Sequence, residues 1–195
     1  VRWYLVARGW SLSDSRAQCR RWLELLGLWE CRRVPCAKLS GGQRRKVLIA
    51  MVMAPEADVV FLDEPTVGLD VPSRYAIWGA VREAVAGGAT VLLTTHDMRV
   101  AEALSDRVVL ISRGVTVAQG SPHELVSSLP YRYKVVVRGP PPPVGRPTLR
   151  LGDRTVIYCR TSGEARDVAS SLDYDSPVSV ERVDLEDVYL NLVGG

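Results

Sequence analysis

The sequence predicts an α/β fold in which a parallel sheet is combined with a helical region before it and a small α+β region after it. Two short runs, at 58–62 and 89–95, are rich in apolar residues, which is typical of strands buried on both faces of a parallel sheet. Segments with helical spacing of apolar residues alternate with these runs, and that order favours crossover helices. A chain of 195 residues is long enough for one domain with a core and a small appendage.

Two helices are expected in the helical region, at 11–27 and at 40–54. Ser13 is the expected N-cap of the first helix, and Gly27 is expected to end it because glycine adopts the left-handed conformation without strain. The second helix begins after Ser40 and ends in an apolar run that is too short to span a bilayer.

The rest of the pattern continues the alternation of helices and strands. Asp70 is the expected cap of a helix that has Pro72 in its first turn and ends at Gly87. The later expected elements are a helix at 97–105, strands at 107–111 and 115–119, a helix at 121–129, strands at 131–139 and 154–160, a helix at 162–172, a strand at 177–183 and a helix at 185–193. Four consecutive prolines, Pro140–Pro143, predict a stiff polyproline loop.

These elements predict three regions. A helical region occupies 1–53, the sheet-containing core part occupies 54–130, and a small α+β region with the proline-rich loop occupies 131–195. No internal repeat of longer period is present in the sequence.

Charge and cysteine usage exclude some classes of function. The net charge is +3, and positive charge is concentrated in residues 1–46. A solvated helical surface explains most of it, but Arg44, Arg45 and Lys46 also raise the positive potential where a phosphate would lie beside the preceding glycines. No basic stripe with interleaved aromatics supports nucleic-acid binding. The four cysteines form no C-x-x-C pair, which argues against a zinc site and favours reduced thiols.

Two adjacent carboxylates, Asp63 and Glu64, follow the first predicted strand, at the sheet edge where ligands bind in parallel α/β folds. The first acid can hold the magnesium ion of a nucleotide, usually through water, and the second can take a proton from an attacking water. His96 ends the next strand and is expected at the same edge, where a neutral imidazole can bond a terminal phosphate oxygen. The alternative interpretation is a strand-ending turn with two solvated acids.

Ser40, Gly41 and Gly42 lie at the amino end of the second predicted helix. Unpaired backbone N–H groups and the helix dipole favour an anion there, and the glycines let a phosphate approach the backbone. The dipole contributes roughly 0.3–1 kcal/mol, so a nucleotide bound there needs a second surface to hold it strongly.

The segments LSGGQ, VVFLDEP, GLD and TTHD occur in an order and spacing that resemble the nucleotide-binding subunit of an ATP-binding-cassette (ABC) protein. The resemblance covers roughly residues 1–125. It implies a P-loop NTPase-like core with a signature motif, a Walker B strand, a D-loop and a switch histidine. The closing segment 180–195 is similar to the end of ABC subunits that serve exporters of drugs or lipids.

The resemblance implies ATP and Mg²⁺ as cofactors. Asp63 would be the magnesium ligand, Glu64 would be the general base, and His96 would contact the γ-phosphate.

The resemblance also implies a second nucleotide-binding subunit. In a head-to-tail dimer, Ser40, Gly41, Gly42 and Gln43 would receive the γ-phosphate of ATP bound by the other subunit. Asp70 would lie at the seam of that dimer, a role compatible with capping its helix. The other implied partner is a multi-span membrane permease, which places the subunit peripherally at the cytoplasmic face of the membrane and involves no nucleic acid.

One feature of the family pattern is absent from the 195 residues: no G-x-x-x-x-G-K-[ST] phosphate-binding loop occurs. The adenine-stacking aromatic and the glutamine loop, which precede the helical region in the family, have no match either. The sequence is therefore expected to be an N-terminally truncated subunit with an incomplete core, and this chain alone is expected to bind ATP weakly or not at all.

Two other functions are compatible with the same motifs. A soluble ABC-type ATPase of translation or DNA repair would carry tandem cassettes or long coiled-coil insertions, and the sequence shows neither. A non-hydrolysing regulatory ABC fragment would explain the missing phosphate loop, but it would not need the intact Glu64 and His96.

Overall fold

The computed structural model describes residues 1–139, 145–172 and 178–193. The chain divides into two compact units, Val1–Asp97 and Met98–Gly195. The division into three regions at 53/54 and 130/131 stays a prediction. The predicted polyproline loop, Pro140–Pro143, lies outside the described residues.

Helices and strands alternate as the sequence pattern predicts. In the first unit they are α1 Arg2–Ala7, α2 Leu12–Leu25, α3 Gly41–Met53, β1 Val59–Asp63, α4 Val71–Ala86 and β2 Thr90–Thr94, with 3₁₀ turns at Trp29–Cys31 and Cys36–Lys38. In the second unit they are α5 Met98–Leu104, β3 Val108–Ser112, β4 Val115–Gly120, α6 Pro122–Ser128, β5 Tyr133–Arg138, β6 Thr148–Leu151, β7 Arg154–Cys159, α7 Ser162–Ser171, β8 Ser179–Arg182 and α8 Leu185–Val193. Sequence analysis missed α1 and β6, which are too short to show a clear period.

In the first unit, β1 and β2 pair in parallel, and their register places Asp63 beside Thr94. The helices bury a core that includes Leu5, Trp22 and Ile77, each no more than 2% exposed. This packing anchors α3 and the two strands, which carry the candidate site.

The prediction that β1 and β2 are buried on both faces was wrong for the described residues. Burial alternates along β1, where Phe61 is 71% exposed and Leu62 is 5% exposed, and Leu92 of β2 is 58% exposed. Successive side chains of a strand point to opposite faces, so helices that cover only one face leave every second side chain open.

The N-cap of α2 is Ser11, and the prediction of Ser13 was wrong. The Ser11 hydroxyl accepts a hydrogen bond from the Asp14 amide at 3.1 Å and donates one to the Asp14 carboxylate at 2.6 Å. Ser13 lies inside the first turn instead. A cap needs a partner three residues later, and Asp14 supplies that partner to Ser11.

The predicted end of α2 at Gly27 is confirmed by its backbone. Gly27 has a φ of 65°, its amide donates to the Glu24 carbonyl, and the Leu28 amide donates to the Leu23 carbonyl at 2.7 Å. These two bonds form a Schellman motif, in which the left-handed residue is preferably glycine.

The second unit is built on antiparallel strands. A two-residue turn with positive φ at Arg113 and Gly114 joins β3 to β4, and a four-stranded sheet has the order β6-β7-β5-β8. Its core joins residues from α5, α6, β3, β7 and α8, including Leu110, Leu125 and Leu185. Positive φ at both turn residues matches the twist of the flanking strands.

Candidate functional site

The carboxyl ends of β1 and β2 place Glu64 and His96 side by side. The backbone of Glu64 follows β1 directly, and its amide donates to the Thr94 carbonyl at 3.1 Å. The Nδ1 atom of His96 lies 2.8 Å from Oε1 of Glu64. Parallel pairing thus brings together two side chains that are 32 positions apart in the sequence.

The hydrogen bond between these two side chains restricts the tautomer of His96. An ionised carboxylate only accepts, so the imidazole donates through Nδ1–H and a neutral ring then presents Nε2 as an acceptor. The His96 side chain is 76% exposed, so Nε2 is accessible. A donor to a phosphate oxygen at Nε2 requires the protonated ring, or a ring released from Glu64, and this refines the neutral-imidazole interpretation made from the sequence.

Glu64 has a left-handed backbone, with a φ of 44°. A residue with a Cβ atom pays of order 1 kcal/mol or more for this conformation, so the surrounding contacts must hold it. The Glu64 amide also lies 3.2 Å from the Thr94 hydroxyl, and the Arg45 guanidinium binds the Glu64 carbonyl. The turn aims the Glu64 side chain at the strand edge, where His96 lies.

One carboxylate oxygen of Glu64 is left without a protein partner. Oε2 is buried and makes no hydrogen bond within the described residues. Buried carboxylate oxygens are normally satisfied, so an orphaned one is typical of an atom that binds a water or a ligand.

Asp63 is exposed, and its Oδ1 accepts a hydrogen bond from the Thr94 hydroxyl at 2.5 Å. Within residues 1–139, 145–172 and 178–193, no group of three or more His, Cys, Asp and Glu side chains is arranged to hold a metal. Magnesium bound with a nucleotide typically uses one or two carboxylates, waters and phosphate oxygens, so a single oriented acid fits it.

The amino end of α3 is organised by a capping box. The Ser40 hydroxyl accepts from the Gln43 amide at 3.2 Å, and the Gln43 side chain accepts from the Ser40 amide at 3.0 Å. The amides of Gly41 and Gly42 make no hydrogen bond within the described residues. These two N–H groups are therefore available to an anion at the helix end.

The two glycines differ in their surroundings. A Cβ atom added at Gly41 would meet nothing within 4 Å, whereas one added at Gly42 would lie 3.5 Å from Leu69 and 3.6 Å from Ser73. Ser40 and Gly41 are exposed. An anion therefore reaches this helix end from the side of Gly41, while Gly42 faces the turn before α4.

Both polar atoms of the Gln43 side-chain amide make hydrogen bonds within the protein. Its Oε1 completes the capping box, and its Nε2 donates to the Cys31 thiol at 3.4 Å. The Gln43 side chain is therefore a support for the helix end in this conformation, with the backbone of Gly41 and Gly42 left to meet the anion.

Asp70 caps α4, as the sequence predicts. Its carboxylate accepts from the Ser73 amide at 2.9 Å, and the hydrogen bonds from Ser73 lower the pKa of Asp70 from its ordinary value. The carboxylate is exposed, so capping leaves it accessible.

Two residues of this site were missed in the sequence analysis. Thr94 orients both acids, since its hydroxyl bonds Asp63 and its carbonyl binds the Glu64 amide. Arg45 reaches the backbone of the same turn from α3. Thr94 could have been found from its position two residues before His96, at the end of the same predicted strand. Nothing in the local sequence pattern distinguishes Arg45 from its basic neighbours.

Comparison with known proteins identifies the family. The ABC transporter family model matches residues 5–67. The Nod factor export ATP-binding protein I of Paraburkholderia xenovorans is 34% identical over 206 residues, which covers 100% of this chain and 67% of that protein. This chain belongs to the ABC transporter ATP-binding family.

Two further similarities agree with that assignment. The Nod factor export ATP-binding protein I of Ralstonia nicotianae is 44% identical over 105 residues, or 54% of this chain and 33% of that protein. A solved structure of the ATP-binding subunit of an ABC transporter has a TM-score of 0.57 at 29% identity and covers 65% of this chain and 52% of its own. The predicted P-loop NTPase-like α/β fold class is confirmed.

This ABC chain spans between 33% and 67% of the length of these two relatives. Within its described residues, none of the helices has the length and apolar character required to cross a membrane.

Proposed function

We propose that this ABC chain is part of an ATP-hydrolysing subunit that powers export of a substrate through a separate membrane subunit. The observation that carries the proposal is the contact between Glu64 and His96 at the end of the parallel strands. A non-hydrolysing module would not need that pair. The names of the relatives, which are ATP-binding proteins of Nod factor export, support the export direction.

Glu64 acts as the general base in this proposal. Its orphaned, buried Oε2 is the acceptor for the attacking water, and its Oε1 is held by His96. A base must lie within hydrogen-bond reach of the proton it removes, and a rigid turn keeps Glu64 in that position. His96 contacts the terminal phosphate through its exposed Nε2 once the ring is protonated or has released Glu64, since Nε2 then carries a proton to donate.

ATP and Mg²⁺ are the proposed cofactors. Asp63 would hold the ion through the carboxylate oxygen that does not accept from Thr94, and a bound ion would supply charge neutralisation for the transferred phosphoryl group. Thr94 fixes the orientation of Asp63. The pattern of a phosphate-binding loop does not occur within the 195 residues.

The second proposed partner is another ATP-binding subunit in a head-to-tail dimer. The free amides of Gly41 and Gly42 are open to a phosphate, and the exposed Asp70 lies at the seam between subunits. Ser40 and Gln43 preserve the geometry of that helix end. The other partner is a multi-span membrane permease, so the assembly lies at the cytoplasmic face of the membrane.

The substitution Glu64→Gln tests the catalytic assignment in the assembled ATPase. The amide preserves the size and one hydrogen bond of the side chain but removes the base, so we expect ATP binding to persist and kcat to fall by about 10²–10⁴-fold. Steady-state phosphate release and nucleotide-binding titration measure the two effects.

The matched control is Glu30→Gln, because Glu30 is exposed in a 3₁₀ turn and belongs to neither strand of the site. It should leave both quantities unchanged. Turnover in the Glu64 variant equal to that of the control would remove Glu64 from the role of base.

A further inference from the structure

Arg45 of α3 binds three consecutive backbone carbonyls of the catalytic turn. Its Nη2 donates to the Asp63 carbonyl at 2.9 Å and to the Glu64 carbonyl at 2.5 Å, and its Nε donates to the Pro65 carbonyl at 3.4 Å. The three carbonyls face one guanidinium because Glu64 is left-handed, which reverses the course of the chain directly after β1.

The contact requires the geometry of arginine. A planar guanidinium presents several N–H donors in a fixed fork, whereas a lysine ammonium is a single point of charge with rotating donors. Hydrogen bonds from a charged donor are also stronger than neutral ones. The neighbouring Arg44 has no such contact and is exposed, so the two adjacent arginines differ sharply in what they do.

The position of Arg45 on α3 gives the contact a second consequence. Arg45 lies four residues after Gly41, which is about one helical turn from the free amides at the start of the helix. The Arg44 amide donates to the Ser40 carbonyl at 2.9 Å, and this bond closes the helical turn that joins the helix end to Arg45. Any displacement of the helix end at Gly41 is therefore passed to the carbonyls on either side of the catalytic carboxylate.

We propose that Arg45 is a positioning residue that fixes the turn of Glu64 and couples it to the phosphate-binding end of α3. The proposal rests on the function proposed above, in which the Gly41 end serves the nucleotide of the second subunit while Glu64 serves the nucleotide of its own. Arg45 then joins two different nucleotide sites within one chain. Binding of a nucleotide at the Gly41 end of α3 then restricts the position of Glu64 in the other site through the Arg45 side chain.

Amide hydrogen exchange of this chain tests the positioning role without any need for activity. In Arg45→Met, the Glu64 amide should exchange faster by about tenfold or more, because the turn loses three of its hydrogen bonds. Arg45→Lys, which keeps the charge but not the fork, should also exchange faster, though less so. Arg44→Met is the matched control and should match the unaltered chain.

The Leu28 amide, which is bonded to the Leu23 carbonyl at the end of α2, serves as an internal reference for global unfolding. Its exchange should be unchanged in all three variants. Equal exchange of the Glu64 amide in Arg45→Met and Arg44→Met would overturn the positioning role. Faster exchange of both amides would mean a general loss of stability and would equally overturn it.

Steady-state kinetics of the assembled ATPase test the coupling. Arg45→Met should lower kcat by about 10–100-fold with little change in KM, because a misplaced base affects the transition state and not ATP binding. The Hill coefficient for ATP should also fall towards 1. A lowered kcat with an unchanged Hill coefficient would retain the positioning role and overturn the coupling between sites.

The two experiments separate this proposal from the proposed function. Absence of ATP hydrolysis in the unaltered assembly would overturn the proposed function and with it the coupling, while the exchange result for the Glu64 amide would still stand. Normal hydrolysis with unaltered exchange in Arg45→Met would overturn the role of Arg45 alone.

Discussion

Lys134 shows how strongly a single buried charge depends on its partners. It is 7% exposed, and its ammonium donates to Asp184 at 2.8 Å and to Asp187 at 2.7 Å. The Tyr158 hydroxyl donates to the other oxygen of Asp187 at 3.0 Å. The network ties β5 and β7 to the start of α8, and none of its members resembles a site in the sequence because they lie up to 53 positions apart.

The shifted pKa values of this network make its contribution to stability fall at both low and high pH, through different groups. Burial raises the pKa of Asp184, but the hydrogen bond and charge of Lys134 together with the hydrogen bonds from Asp187 outweigh burial, so the pKa lies below its ordinary value. That stabilisation is present above the unfolded pKa, about 3.9, and is lost as the pH falls through the lowered value. Hydrogen bonds to both acids outweigh burial and raise the pKa of Lys134, so its contribution is lost only above its ordinary value.

Lys134→Met should lower the free energy of unfolding by about 3–5 kcal/mol at neutral pH, because Asp187 is only 2% exposed and would be left as an uncompensated buried charge. Urea unfolding followed by circular dichroism measures the loss. Burial raises the pKa of Asp187, so the deficit should begin to shrink above the ordinary aspartate pKa of about 3.9 as the pH falls, because the protonated carboxyl no longer needs the cation.

Arg138→Met is the matched control, because Arg138 lies on the same strand as Lys134 but its ion pair with Asp153 has side chains 65% and 74% exposed. An exposed pair contributes about 0–1 kcal/mol. Equal losses in the Lys134 and Arg138 variants would show that burial of the network has no special weight.

At the scale of one element, α2 shows which helix end can be predicted from the sequence. Its glycine end was predicted correctly, since the Schellman motif has a specific requirement for a left-handed residue at Gly27. Its start was misplaced by two residues, since Ser11 and Ser13 are both acceptable caps in isolation. The hydrogen bonds of Asp14 decide between them.

Ser11→Ala should destabilise the first unit by about 1 kcal/mol, because the Asp14 amide loses its acceptor. Ser13→Ala removes a hydroxyl that accepts from no backbone amide of α2, so it should cost less than about 0.5 kcal/mol. Thermal unfolding followed by tryptophan fluorescence reports this unit, since all five tryptophans lie within residues 1–97. A larger effect at Ser13 than at Ser11 would contradict the cap seen in the structure.

At the scale of the whole molecule, the chain carries the acids, the histidine and the open helix end that we propose for a nucleotide site, but no phosphate-binding loop pattern occurs among its residues. The local contribution of a helix dipole is roughly 0.3–1 kcal/mol, whereas a Kd of 1 μM requires about 8 kcal/mol. The groups present here therefore supply only a small part of the affinity that a working nucleotide site needs.

The isolated 195 residues should consequently bind ATP with a Kd of about 1 mM or weaker, and removal of Mg²⁺ should change that value little. Isothermal titration calorimetry in the presence and absence of Mg²⁺ measures both. Micromolar, magnesium-dependent ATP binding by this chain alone would contradict the prediction, because it would mean that the main phosphate-binding residues lie within the 195.

The sequence by itself determined those features that depend on a few neighbouring residues. The helix start after Ser40 and the cap at Asp70 follow from short-range hydrogen bonding, which leaves a fixed spacing in the chain. The meeting of Glu64 with His96 was also foreseeable, because parallel strands align their carboxyl ends.

Only the tertiary structure decided which side chains reach across elements and which faces are covered. Arg45 and Arg44 are adjacent and chemically identical, yet helix packing places one against the turn at Glu64 and leaves the other in solvent. The exposure of Phe61 and the burial of Lys134 have the same origin. Such contacts depend on the relative placement of elements distant in the sequence, and no local spacing encodes that placement.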